Sequence, residues 1–166
     1  MPKIFILYYS NTGNTGKMAE YIEKGAKEEG VDVIRKQIKK NPDKETINEL
    51  IKHLEEADGI IIGSPTYYGS MVSCIKKLID DSFRCHGELV GKVGAAFTSS
   101  AFIAGGNETT ILDIIHAMLV HGMVIQGDCD TDHYGPAAID EPDEHCLKTC
   151  ERLGRRVAQL TRKLFS

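Results

Sequence analysis

Strand-like and helix-like stretches alternate along the whole chain, and that alternation restricts the fold more than any other feature. Lys3 to Tyr9, Val31 to Ile38, Ala57 to Gly63, Gly91 to Thr98 and Met123 to Gln126 read as strands. Asn14 to Glu29 (closed by Gly30), Asp43 to Glu56, Met71 to Asp81, Asn107 to His121 and Asp143 to Phe165 read as helices. The third strand holds Gly59-Ile60-Ile61-Ile62-Gly63, apolar on both faces, as a strand covered on both sides must be. The second alternates apolar and polar, as a half-exposed strand would. Five strands alternating with five helices specify an α/β fold around a parallel sheet. Crossovers in such a sheet are right-handed, and ligands sit beyond the carboxyl ends of its strands. With no internal repeat, low-complexity segment or linker, residues 1–166 read as one domain.

Composition excludes several classes. Hydrophobic residues make up 42% and charged residues 27%, both ordinary for a globular chain. The net charge of −4 offers no basic patch for nucleic acid. No apolar run is long enough for membrane insertion. The chain enters its first strand at Lys3 with no leader-like segment, so a cytoplasmic location is expected. Five cysteines, an odd number, do not build a disulfide framework.

Three loops follow strands and would share one rim of the sheet. The first is Ser10-Asn11-Thr12-Gly13-Asn14-Thr15-Gly16, between a strand and a helix. Its hydroxyls, amides and backbone N–H groups converge beside the positive end of the helix dipole, which suits an anion, above all a phosphate. A simple Ser/Asn helix cap would use the same residue types, though it needs only one of them. The mononucleotide loop is excluded, because only two residues stand between Gly13 and Gly16-Lys17, where about four are needed, and Met18 follows where Ser or Thr is required. The dinucleotide fingerprint is absent as well. Lys17 reads as a solvated side chain, so the donors are neutral; neutral donors still bond a charged phosphate strongly.

The second loop is Ser64-Pro65-Thr66-Tyr67-Tyr68-Gly69. Two adjacent tyrosines cannot both enter the core, so one faces the rim as a stacking surface or packs on neighbouring loops. The third, Thr98-Ser99-Ser100 through Gly105-Gly106, is small, polar and flexible, and lets backbone amides approach a flat heterocycle. A phosphate cradle, aromatic rings and a small-residue wall on one rim fit an aromatic heterocycle with a single phosphate, namely flavin mononucleotide (FMN).

On these segments the chain resembles the flavodoxin-fold proteins, and more closely the WrbA-type NAD(P)H:quinone oxidoreductases and NADPH-dependent FMN reductases. The segments are Leu7-Tyr8-Tyr9-Ser10, Gly63-Ser64-Pro65-Thr66-Tyr67-Tyr68-Gly69-Ser70-Met71, Phe97-Thr98-Ser99-Ser100 with Gly105-Gly106-Asn107-Glu108-Thr109-Thr110, His121-Gly122-Met123-Val124-Ile125, and Tyr134-Gly135-Pro136-Ala137. The resemblance implies a three-layer sandwich with a five-stranded parallel sheet in the order 2-1-3-4-5. It implies FMN held at its phosphate by Ser10, Asn11, Thr12, Gly13, Asn14 and Thr15. Pro65, Thr66, Tyr67, Tyr68 and Gly69 would flank the ring, and Thr98, Ser99, Ser100, Gly105 and Gly106 would meet its edge and ribityl chain. Tyr134 matches an element of the last long loop. His121 matches a histidine that reaches a flavin face, often in a neighbouring subunit, and becomes the candidate catalytic residue; a lone histidine at a helix C-terminus also suits the dipole. The family's Arg-Phe before the glycine of the second loop is Tyr67-Tyr68 here, and the segments before Glu45 and between Ile125 and Tyr134 are short. A homodimer is expected, with a tetramer as the alternative.

Catalysis would belong to the flavin, with NAD(P)H or a donor protein supplying electrons and a quinone-like small molecule or a flavin accepting them. An electron carrier of flavodoxin type is the alternative. A phospho-accepting receiver module would need an aspartate where Gly63-Ser64-Pro65 stands. No metal is expected: Cys146 and Cys150 share a helix face but lack a second ligand pair, and read as core packing or a half-exposed thiol pair. Cys74 and Cys85 are too far apart for a compact iron–sulfur motif.

Overall fold

The computed structural model describes residues 1–165. Strands β1 (Lys3–Tyr8), β2 (Asp32–Gln37), β3 (Gly59–Pro65), β4 (Val93–Ser100) and β5 (Val124–Ile125) line up in the order β2-β1-β3-β4-β5. All pairings are parallel. Helices α1 (Asn14–Lys27), α2 (Lys44–Glu56), α3 (Ser73–Asp81), α4 (Asn107–Val120) and α5 (Glu144–Phe165) cover the two faces. This is the expected flavodoxin-like α/β fold.

The pleat of β1 explains the layers. Phe5 and Leu7 join one core with Leu50 of α2, Leu78 of α3 and Ile114 of α4. Ile4 and Ile6 join the other with Ile22 of α1 and Leu153 and Val157 of α5. Successive residues of an extended chain point to opposite faces, so a strand apolar at every position demands helices on both sides.

The structure differs from expectation at the fifth strand position. β5 has two residues, and a further strand, β6 (Ala137–Ile139), pairs in parallel with the far end of β4. It lies within the stretch 127–142 that reads from sequence as loop. β5 pairs at Val93 and Gly94, and β6 at Thr98 to Ser100, so two short segments share one edge of β4. A 3₁₀ turn (Ser82–Cys85) extends α3. Lys92 is buried, and its ammonium donates to the carbonyls of Leu54 (3.0 Å) and Glu55 (2.5 Å) at the end of α2. That closes carbonyls the helix leaves open, although burial pulls the lysine's pKa down.

Register aligns the strand ends. Tyr8 pairs with Gly63 and Gly63 with Phe97, so β1, β3 and β4 finish at one level. After β1 the chain moves outward to β2 on one side, and later returns to β3 on the other. Beyond that point of divergence an open α/β sheet leaves a crevice.

Candidate functional site

The loop after β1 is stapled by its own serine. Ser10 Oγ accepts from the backbone N–H groups of Gly13 and Gly16, each at 3.2 Å, which leaves its proton free to donate. Gly13, at φ 101, occupies left-handed space and turns the chain into α1 without a β-carbon penalty. Gln37 Nε2 donates to the Ser10 carbonyl at 2.9 Å, tying the loop to the end of β2. The amides of Asn14 and Thr15 open the helix and have no intrahelical acceptor. Thr15 and Ser99 share a buried hydroxyl–hydroxyl bond of 2.9 Å, which clamps this loop to the end of β4.

The second loop is a tight hairpin. Tyr67 and Ser70 exchange backbone bonds of 2.9 and 3.2 Å around Tyr68 and Gly69, both at positive φ (52 and 76). Positive φ at both central positions is a type I′ turn, and it projects the Tyr68 ring fully into solvent. The third loop backs onto this hairpin: a β-carbon on Gly106 would come 2.6 Å from Gly69 Cα, and Thr109 Oγ1 donates to the Gly69 carbonyl at 2.6 Å. Thr98 Oγ1 donates to the Ser64 carbonyl (2.7 Å) and so takes the Thr66 hydroxyl as its own donor (2.9 Å). Thr66 N–H donates to the Ser99 carbonyl at 2.7 Å.

Between the loops lies a cavity of about 200 Å³, lined by Asn11, Thr12, Asn14 and Thr15 on one side, Pro65, Thr66 and Tyr67 on another, and Ser99, Ser100, Ala101 and Asp140 on the third. Its lining holds no lysine, arginine or histidine. Neutral hydroxyl, amide and backbone donors face a flat apolar flank of Pro65 and Tyr67, with burial pushing the Tyr67 phenol pKa up. Such a donor set suits one phosphate held by hydrogen bonds, and Tyr67 offers a flat face to a planar ring; the Asp140 carboxylate is the group in the lining that disfavours a second anion. The residues present therefore fit FMN.

Sequence reading and structure can be compared position by position. Asn11, Thr12, Asn14, Thr15, Pro65, Thr66, Tyr67, Ser99 and Ser100 line the one cavity. Ser10 and Gly13 instead line a second hollow that shares Asn11 and includes Lys17 and Glu20, while Gly69, Gly105, Gly106 and the fully buried Thr98 lie outside the lining and brace the second and third loops through backbone and hydroxyl contacts. Tyr68, next in the chain to the lining Tyr67, is fully exposed and outside the lining. Tyr134 lines a separate hollow with Glu108, Ile111 and Ala137. His121 is not brought to this rim. It caps α4 at the opposite end of the sheet, with Nε2 2.8 Å from Ser82 Oγ. It therefore does not contribute to the cavity of its own chain. Lys17 is ion-paired with Glu141 at 3.0 Å. Asp140 and Ala101 line the cavity without having been singled out in the sequence. Asp140 arrives through β6, at φ 57, with its N–H on the Ser100 carbonyl at 2.7 Å.

Residues 2–133 match the family described as NADPH-dependent FMN reductase. The chain belongs to that family. It is an FMN-dependent oxidoreductase with a flavodoxin-like fold. It is 36% identical to the NAD(P)H dehydrogenase (quinone) of Archaeoglobus fulgidus, over 99% of this chain and 100% of that one. A flavodoxin from Clostridium saccharobutylicum is also 36% identical, covering 98% and 99%. Among solved structures, the WrbA-like flavodoxin protein of Agrobacterium tumefaciens superposes with a TM-score of 0.81 at 26% identity, over 99% of both chains. The alignment to the Archaeoglobus relative runs over 190 positions, more than the 166 residues here, as expected for a shortened chain. Among the described residues no helix is long and apolar enough to cross a membrane.

Proposed function

We propose that this chain, as one FMN-binding domain over residues 1–166, transfers electrons from NAD(P)H or a donor protein to a quinone-like acceptor. The observation that carries the reading is the cavity of neutral donors beside Tyr67 at the strand divergence point. Asn11, Thr12, Asn14 and Thr15 would hold the phosphate, and Ser10 and Gly13 would set the loop that presents them. Pro65, Thr66, Tyr67, Tyr68 and Gly69 would flank the ring. Thr98, Ser99, Ser100, Gly105 and Gly106 would form the opposite wall. FMN, when bound, supplies the hydride and electron transfer itself.

What the chain's own residues add is rigidity and exclusion of water. The Thr15–Ser99 and Thr66–Thr98 hydroxyl pairs lock three loops together, so the donors need little reorganisation when the phosphate arrives. Among the described residues Asp140 places the only formal charge on the cavity wall, and its sign opposes surplus negative charge there. His121 would act in a neighbouring subunit's site, which requires at least a homodimer. The likeness to a clostridial flavodoxin supports a second reading, a one-electron carrier. A cytoplasmic location fits both.

One experiment separates the outcomes. Purified protein, reconstituted with FMN where needed, is examined by visible spectrum and then assayed for NAD(P)H oxidation with a ring-only benzoquinone. Bound flavin with turnover is the expected result. Bound flavin without turnover, persisting when the flavin is reduced chemically in place of NAD(P)H, assigns the carrier function, and failure to take up FMN removes the reading altogether.

A further inference from the structure

Two side chains directly after the cavity-lining Ala101 are not part of the lining itself. Phe102 and Ile103 are 75% and 84% exposed, at the tip of the loop after β4. A single exposed apolar residue is ordinary, but adjacent large ones beside a ligand cavity mark a surface that something covers. Their placement is fixed by the main chain. The Phe102 carbonyl accepts from Ser100 Oγ at 3.0 Å and from Gly105 N–H at 3.1 Å, while Ala101, one residue earlier, lines the cavity. The same loop backs onto the Tyr67–Ser70 hairpin through Gly106. The tip therefore continues the cavity wall outward.

We infer that the acceptor carries an aliphatic tail, and that Phe102 and Ile103 form the strip on which the tail lies while the ring enters the cavity. The inference rests on the quinone-reductase reading and names its substrate class more narrowly. Residues 93–107 carry no charged side chain, and Phe102 and Ile103 themselves offer no side-chain hydrogen-bond donor or acceptor, so the strip suits an uncharged, apolar extension. A ring-only acceptor leaves both side chains in water; a tail removes them from it, and affinity rises with the apolar area covered. A second copy of the chain is the poorer occupant. Two such side chains offer at most about 400 Å², whereas a stable interface takes about 800 Å² from each partner.

The test uses the FMN-loaded protein and a series of benzoquinones whose ring substituent lengthens from methyl to decyl. For the unmodified protein KM falls about twofold per added methylene over the first several carbons, less than the about fourfold of full burial because the strip covers one side of the tail, then levels off, while kcat stays nearly constant. In the F102S/I103S double variant KM no longer depends on tail length, and the ring-only quinone is turned over as before. Binding is read independently by calorimetry with the redox-inert dimethyl ether of decylhydroquinone. It binds at least about tenfold tighter than its methyl analogue, and the variant loses that difference. Tail-independent KM in the unmodified protein overturns the inference, as does tail dependence that survives in the variant. So does a change of sedimentation in the variant, which reassigns the strip to self-association. Absent quinone turnover with tail-dependent binding of the inert ether intact sinks the enzymatic reading and leaves the strip standing.

Discussion

Tyr68 sits at φ 52, where a side chain with a β-carbon is disfavoured and where Asn or Gly is the usual choice in a type I′ turn. Its ring is fully exposed, so in the flavin-free protein it repays none of that cost through packing. Strain of this kind next to a cavity-lining residue points to a function for the ring once the cavity is filled. Replacing Tyr68 with Asn should therefore stabilise the flavin-free protein by about 1 kcal/mol, the left-handed penalty of an ordinary residue. It should at the same time weaken FMN binding by removing a stacking ring. Urea denaturation of flavin-free protein and a fluorescence titration with FMN measure the two effects. A Y68N protein that is no more stable, or that binds FMN with unchanged affinity, would show that the ring has no such role.

At the scale of elements, α1 and α5 meet at backbone contact. A β-carbon on Gly25 would fall on the main chain of Glu151, and one on Gly154 on the main chain of Ile22 and Ala26. Helix propensity alone favours Ala over Gly by about 1 kcal/mol, yet overpacking against a main chain that cannot yield costs about 1–3 kcal/mol and sometimes more. Packing wins here, so Gly154→Ala should lower stability by about 2 kcal/mol net in urea denaturation. Both glycines serve one contact, so the Gly25→Ala/Gly154→Ala double variant should lose less than the sum of the singles. Neither glycine reveals this in sequence, where a helical Gly reads only as a weak point. What sequence does carry well is any feature set by local chemistry. Ile60-Ile61-Ile62 announces a strand buried on two faces, and the hydroxyl and glycine loops after Tyr9, Gly63 and Thr98 announce the rim. β6 stayed hidden because Ala137 and Ala138 are weak strand formers, held extended by pairing with β4 nearly forty residues away in the chain. Asp140 was missed with it, since its place on the cavity wall follows from that pairing. The split between Ser10, which staples its loop, and Thr15, which clamps the loop to β4, is likewise a matter of three-dimensional geometry.

Across the whole molecule the two ends of the sheet have different tasks. The carboxyl ends carry the cavity, whereas the amino ends carry His121 at the foot of α4, about 20 Å along a 14-residue helix from the loop it begins in. Ser82 Oγ donates to the Ile79 carbonyl at 2.6 Å, so it must accept from His121 Nε2–H; the imidazole is then protonated on Nε2, and Nδ1 is buried with no partner among the described residues. A second proton would have to enter at Nδ1, inside an apolar wall that includes Leu78 and Met118 and with the His86 ring 6.2 Å away. Burial first, and His86 second, push the His121 pKa below its ordinary value. The sign follows from linkage. Below about pH 6.5 the unfolded chain takes up this proton and the folded protein does not, so the unfolded state gains and stability falls as pH drops, until the folded pKa is reached. Above pH 6.5 the contribution is complete. The unmodified protein should lose up to about 1.4 kcal/mol per pH unit below that point from this group alone. In His121→Gln that part of the slope should vanish, which urea denaturation at steps between about pH 7.5 and 5 will measure as a difference between the two proteins. Because the cavity lies at the other end of the sheet, FMN affinity at pH 7 should be the same in both proteins when each is monomeric. An unchanged slope in the variant would mean that His121 already accepts its proton in the fold, by way of a partner for Nδ1.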